Sequence, residues 1–181
     1  NKCTLLLKKS TAKMPQTQEF EFDAYVREGK RRHKELFEKI EYIQRLDKEI
    51  EVIKAANLTG YFITVYDFVR YARANGIAVG PGRGSAGGSL LAYILDITAI
   101  DPIKYNLMFS RFYNAGRRDS LPDIDIDFCY ERRGEVIAYL ARKYDQESVA
   151  LIATFGAMTP RAAVRDVGRA MKLPVAETDR I

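Results

Sequence analysis

Asp123, Asp125 and Asp127 alternate with Pro122, Ile124, Ile126 and Phe128. A period of two is that of a half-buried β-strand, so the spacing predicts three carboxylates on one face and apolar side chains in a core on the other. Like charges held this close repel and tend to raise one another's pKa, a cost that divalent cations between them offset. The segment is therefore a candidate metal site. The same pattern also describes the charged outer face of an edge strand, where it blocks aggregation. A calcium loop of the EF-hand kind is excluded, because its sixth and twelfth positions call for Gly and Glu and hold Phe128 and Gly134 here.

A second candidate lies upstream. Ile77-Ala78-Val79 is a short β-type run, Gly80-Pro81-Gly82-Arg83-Gly84-Ser85-Ala86-Gly87-Gly88-Ser89 is rich in glycine, and Leu90 to Leu95 continue as an apolar helix. Glycines between a strand and a helix let the backbone approach an anion, and the helix N-terminus attracts phosphate. Arg83 adds a planar fork of donors and Ser85 a hydroxyl. A tight turn with close helix packing is the plain alternative. No Lys precedes Ser85 or Ser89, so the loop is not a Walker A motif. Gly82 to Gly87 does satisfy G-x-G-x-x-G, with Asp101 near the distance of a ribose-binding acid, so a Rossmann-like dinucleotide module competes. Against it, Asp101-Pro102 reads as a turn and the aspartates at 123 to 127 are left without a role.

The elements that position these residues follow from periodicity. From Asp23 to Asn57 the chain is charge-rich, with Ile43, Leu46, Ile50 and Ile53 at helical spacing, which predicts two helices broken near residues 37 to 40. The cluster Lys30, Arg31, Arg32 and Lys34 reads as a solvated helix face. Tyr61 to Val65 fits a short strand or a helix start, and Asp67 an N-cap for a helix from Phe68 to Ala74 that Asn75-Gly76 ends. Glu131 to Tyr144 is amphipathic and Val149 to Ala153 reads as a buried strand. Thr159-Pro160 opens a last helix, on which Arg161, Arg165 and Arg169 fall at i, i+4 and i+8. Helices alternating with strands predict a mixed α/β fold.

The 181 residues are 47% hydrophobic and carry a formal charge of +5, enough chain for one sizeable core and compatible with a polyanionic partner. Cys3 and Cys129 lack zinc-ligand spacing, and His33 is the single histidine, so no Cys/His cluster forms and both cysteines are expected as thiols. No apolar run approaches the roughly 18 residues of a membrane span, and Leu5-Leu6-Leu7 is too short for a signal segment. The chain reads as cytoplasmic, with no membrane partner. It begins without Met, and is expected to be a piece of something longer.

A phosphate-holding loop and a metal-holding acidic strand belong together in phosphoryl or nucleotidyl transfer. Gly60-Tyr61-Phe62-Ile63, Val79 to Leu90, Leu121 to Cys129 and Thr154-Phe155-Gly156-Ala157-Met158 together resemble the palm of the bacterial replicative DNA polymerase III alpha subunit, with agreement from about Gly60 to Val167. The resemblance implies a polymerase-beta-like nucleotidyltransferase palm over residues 1–155, its sheet flanked by helices, with residues 1–59 largely helical and poorly matched. Residues 156–181 would begin a helical thumb. It implies deoxynucleotide addition to a primer 3′ end with two Mg2+ ions. Asp123 and Asp125 match the metal-binding catalytic pair and Asp127 a supporting acid. Gly84 and Ser85 match the pair contacting the incoming triphosphate, joined by Gly82 and Arg83, and Arg111 matches an arginine aimed at it. Arg161, Arg165 and Arg169 would face the DNA backbone. The implied partners are primer–template DNA, deoxynucleoside triphosphates, the rest of the polymerase chain and other replicase subunits. The family's third catalytic carboxylate has no match here, because Asp145, Asp166 and Asp179 stand in the wrong contexts. The isolated piece is therefore expected to be inactive. A basic nucleic-acid-binding domain without catalysis is the remaining alternative.

Overall fold

The computed structural model describes residues 19–114, 122–150 and 156–180. It forms two compact units, residues 1–149 and 150–181. In the first, α1 (Glu19–Arg32) is followed by a 3-10 turn (Lys34–Glu38), then α2 (Ile40–Ala55) and α3 (Thr59–Ala74). The glycine loop contains a 3-10 turn (Gly84–Gly88) that leads into α4 (Leu90–Ile94), then α5 (Phe109–Phe112) and α6 (Arg133–Tyr144). The second unit holds α7 (Pro160–Ala170) and α8 (Val175–Thr178).

The two helices expected between Asp23 and Asn57 form, and the break falls at the 3-10 turn. Of the α2 stripe, Leu46 and Ile53 are fully buried and Ile43 and Ile50 half-buried. Leu46, Ile50 and Ile53 pack with Phe22 and Val26 of α1, Phe62 and Val69 of α3, and Leu90, Leu91 and Ile94 of α4 in one core. Burying each such side chain contributes about 1.5–3 kcal/mol. Although α4 has only five residues, Leu90, Leu91, Ala92 and Ile94 are all buried, so packing and not propensity holds it.

Residues 61 to 65 are helical, not a strand. Phe62, Tyr66, Val69 and Ala72 recur at three- and four-residue intervals on the buried face of α3, which therefore runs unbroken through Asp67. Asp67 is not an N-cap. It accepts hydrogen bonds from Lys143 Nζ, Tyr139 Oη and Tyr144 Oη of α6 at 2.6, 2.8 and 3.2 Å, and Tyr71 stacks on Tyr139 at 3.9 Å. The end of α3 is as expected. Gly76 takes φ +65°, and the Gly76 and Ile77 N–H groups donate back to Arg73 and Ala72.

The α/β palm with a sheet is not what forms: among the described residues every regular element is helical, and the one β interaction is an antiparallel bridge between Val79 and Phe128. The Gly80 N–H donates to Asp127 O at 2.8 Å and the Cys129 N–H to Ala78 O at 3.0 Å. The ladder ends there because the chain turns away into the glycine loop, where Pro81 O accepts from the Ala99 N–H at 2.8 Å and Gly82 takes φ +96°. Extended, alternating sequence is thus not enough for a strand when the neighbouring segment supplies one pair of bonds. The alternation of burial survives in part without a sheet, Asp125 being half-buried like the isoleucines on either side of it. Ile124, Ile126 and Phe128 pack against the core, while Asp123 and Asp127 are exposed. Much of the strand expected at Val149–Ala153, and Thr154 and Phe155 of the motif after it, lie outside the described residues, as do Cys3, the segment 1–18 and Leu121.

Candidate functional site

The glycine loop and the aspartate segment meet. Fastened by the bridge at residues 79 and 128, they run on so that Gly84, at φ +65°, faces Asp125; a Cβ placed there would lie 3.2 Å from Asp125 Oδ2. Arg83 extends over the same carboxylates, with Nε 3.9 Å from Asp125 Oδ2 and Nη1 3.6 Å from Asp127 Oδ1. The guanidinium offsets part of the repulsion within the acidic segment, although exposure keeps each contact weak. Asp123 stands outside this pairing. Between Asp123 and Asp125, the Ile124 N–H donates to Tyr61 Oη at 3.2 Å. Burial raises the Tyr61 pKa; the Ile124 hydrogen bond works against it, and the Asp123 and Asp125 charges add to it.

Gly84 also borders a cleft of about 460 Å³. Gly84, Ser85 and Gly88 form one wall, and Asn106, Leu107, Met108 and Arg111 the other. The exposed Arg111, on α5, therefore shares a cleft with the expected triphosphate contacts Gly84 and Ser85. Gly82 and Arg83 do not line it. The two walls touch at their base, where a Cβ on Gly88 would lie 2.7 Å from Met108 O.

The phosphate-binding role expected of the helix after the loop is taken by a carboxylate from within the chain. Glu49 of α2 is fully buried and accepts from the Leu90 and Leu91 N–H groups, each at 3.0 Å, and from Ser89 Oγ at 2.9 Å. Arg45 Nε donates to the same carboxylate at 2.6 Å. Ser89 also caps α4, accepting from the Ala92 N–H at 3.1 Å. An anion in the cleft would meet the loop at Gly84 and Ser85, not at the start of α4. Asp101 is likewise occupied. It is buried and accepts from Tyr42 Oη at 2.7 Å and from the Ile103 and Lys104 N–H groups at 2.9 and 3.1 Å. Burial and that bond push the Tyr42 pKa up to about 12. No free carboxylate is left there for a ribose, and among the described residues no parallel sheet precedes the loop, so the Rossmann reading loses both its supports.

The aspartates form an oxygen-only set, but among the described residues no three acidic, histidine or cysteine side chains gather closely enough to enclose an ion. Mg2+ is commonly held by one or two carboxylates with substrate phosphates completing its shell, and Asp125, set against the cleft residue Gly84, is the carboxylate whose placement suits that pattern. Cys129 is a half-buried free thiol.

In the second unit, Thr159 caps α7 as expected, accepting from the Ala162 N–H at 3.3 Å ahead of Pro160. Arg161, Arg165 and Arg169 are exposed, with Arg165 bonded to Asp179 at 2.7 Å and Arg169 3.4 Å from Asp166. No helix among the described residues is long and apolar enough to cross a membrane.

Residues 18–181 match the family model described as the bacterial DNA polymerase III alpha NTPase domain. The chain belongs to that family. It is 52% identical over 141 residues to DNA polymerase III subunit alpha of Caulobacter vibrioides, covering 78% of this chain and 12% of that protein. The Helicobacter pylori subunit is 52% identical over 139 residues, 77% of this chain and 11% of that one, and the Aquifex aeolicus subunit 50% identical over 141 residues, 78% and 12%. The chain thus spans about an eighth of the length of these relatives.

Proposed function

We propose that this segment is the part of a replicative DNA polymerase palm that receives the incoming deoxynucleotide, with residues 156–181 beginning the thumb. The observation that carries the reading is that Gly84 both abuts Asp125 and lines the cleft shared with Arg111. Phosphates in that cleft lie within reach of Ser85 and of the Arg111 fork, which can bind phosphate oxygens bidentately. Their other side faces the carboxylates. Two Mg2+ ions held there by Asp123 and Asp125, with Asp127 in support, would lower the pKa of a primer 3′ hydroxyl and offset the charge of the departing pyrophosphate. Arg83 stands between the two parts, close enough to Asp125 and Asp127 to hold their charge and free to turn toward phosphate. Gly84 leaves the backbone bare at that approach, whereas a Cβ on Gly82 would meet Thr98 at 2.8 Å, so Gly82 serves close packing behind the loop. Arg161, Arg165 and Arg169 would add sequence-independent attraction to primer–template DNA.

The family resemblance implies a further carboxylate elsewhere in the polymerase, so the segment alone should not extend primers. The test is Asp125→Asn in the full-length polymerase carrying this segment. Primer extension should fall by about a hundred- to a thousandfold, the scale of losing an electrostatic catalytic contact, while primer–template binding persists. Extension within tenfold of wild type, or robust extension by the 181-residue piece, would refute the assignment.

A further inference from the structure

We propose that Arg45 and Glu49 of α2 are positioning residues that fix the two walls of the cleft at the separation a nucleoside triphosphate requires. The inference rests on the reading of that cleft as the triphosphate site.

Glu49 spends both oxygens on the loop side of the cleft. Oε1 accepts from the Leu90 N–H and Arg45 Nε, and Oε2 from Ser89 Oγ and the Leu91 N–H. Arg45 reaches both sides. Its Nη2 donates to Gly88 O at 2.7 Å, at the end of the glycine turn, and to Leu107 O at 3.1 Å, four residues before Arg111. One guanidinium therefore ties the wall bearing Gly84 and Ser85 to the wall bearing Arg111 and is itself held by a fully buried carboxylate. Gly88 permits the contact by letting Met108 O come close. A salt bridge that served only to pack α2 on α4 would need Glu49 and the α4 amides. It would not need a bond to Leu107.

Arg45→Lys separates these roles. Lysine keeps the positive charge beside Glu49 and has three donors, but they sit on one mobile ammonium and not on a rigid planar fork, so the link from Glu49 through Gly88 to Leu107 loses its fixed geometry. In single-nucleotide primer extension by the full-length polymerase, the KM for deoxynucleoside triphosphate should rise about tenfold, with kcat lowered less than about threefold and the KM for primer–template unchanged. A triphosphate KM equal to wild type overturns the proposal, whatever happens to thermal stability, and so does a parallel rise in both KM values. Should Arg45→Lys fail to fold, Ser89→Ala removes one of the four donors to Glu49 and is expected to raise the triphosphate KM about threefold, with no change counting against the proposal. A wild-type polymerase that neither extends primers nor binds triphosphate removes the functional reading and this proposal with it. A competent wild type with variants indistinguishable from it removes the proposal alone.

Discussion

Gly84→Ala, measured beside Gly76→Ala, separates backbone strain from chemistry. Both glycines sit at φ +65°, where an L-residue pays about 1–2 kcal/mol, partly offset by the lower entropy of the unfolded alanine chain. Each substitution should therefore destabilise by about 1 kcal/mol. They differ in what the new methyl meets. At Gly76 nothing lies within 4 Å, whereas at Gly84 the methyl would stand 3.2 Å from Asp125 Oδ2. That oxygen is the tip of a side chain, so it yields by a few tenths of an ångström and stability suffers little more. Activity should suffer, because small misplacements of a group at the reacting centre cost up to about a hundredfold per ångström. The expectation is a kcat/KM for Gly84→Ala about tenfold or more below that of Gly76→Ala, equivalent to about 1.4 kcal/mol, with matching thermal inactivation. Primer extension by both full-length variants, read at equal folded fraction, decides it. Equal activities would refute the placement of Asp125 in the chemistry.

Three further outcomes follow from the same geometry. Burial raises the Glu49 pKa, so between the ordinary glutamate value and the raised one the folded state holds a proton the unfolded chain has lost, and stability should fall as pH rises through that interval; Glu49→Gln should abolish this slope in melting temperature against pH, and an unchanged slope assigns it elsewhere. Gly88→Ala places a methyl 2.7 Å from the backbone oxygen of Met108, which cannot swing aside, and should cost about 1–3 kcal/mol of stability and weaken triphosphate binding, seen by melting and by titration of a fluorescent nucleotide. Replacing Arg161, Arg165 and Arg169 by Ala should reduce the log–log salt slope of DNA binding by up to about one per arginine, less where Asp179 and Asp166 already pair with Arg165 and Arg169, and an unaltered slope removes them from the DNA interface.

The elements with strong helical periodicity were readable from sequence. The Leu46 and Ile53 stripe, the Gly76 cap and the Thr159-Pro160 start all stand where spacing puts them. Tyr61 to Val65 stays open between strand and helix start because a run of β-prone residues looks alike in a strand and a buried helix until its contacts are known, and the helix is what forms. The sheet misleads for another reason: period two reports which side chains are covered, and Ile124 and Ile126 are covered by the core without a ladder of backbone bonds. The loop and the aspartates were legible as motifs, but not the hold that Glu49 has on α4. A signal for it exists, since Glu49 falls three residues after Leu46 and four before Ile53, a charge on an apolar stripe, with Arg45 four residues ahead. Its partners lie about forty residues away, and no local pattern names them.

The most direct measurement is a structure of the full-length polymerase bound to primer–template, Mg2+ and a non-hydrolysable deoxynucleoside triphosphate. The account predicts phosphate oxygens within hydrogen-bond distance of Ser85 and Arg111, and metal bound to Asp123 and Asp125. A triphosphate seated away from this cleft, or ions bound without these two carboxylates, would contradict it.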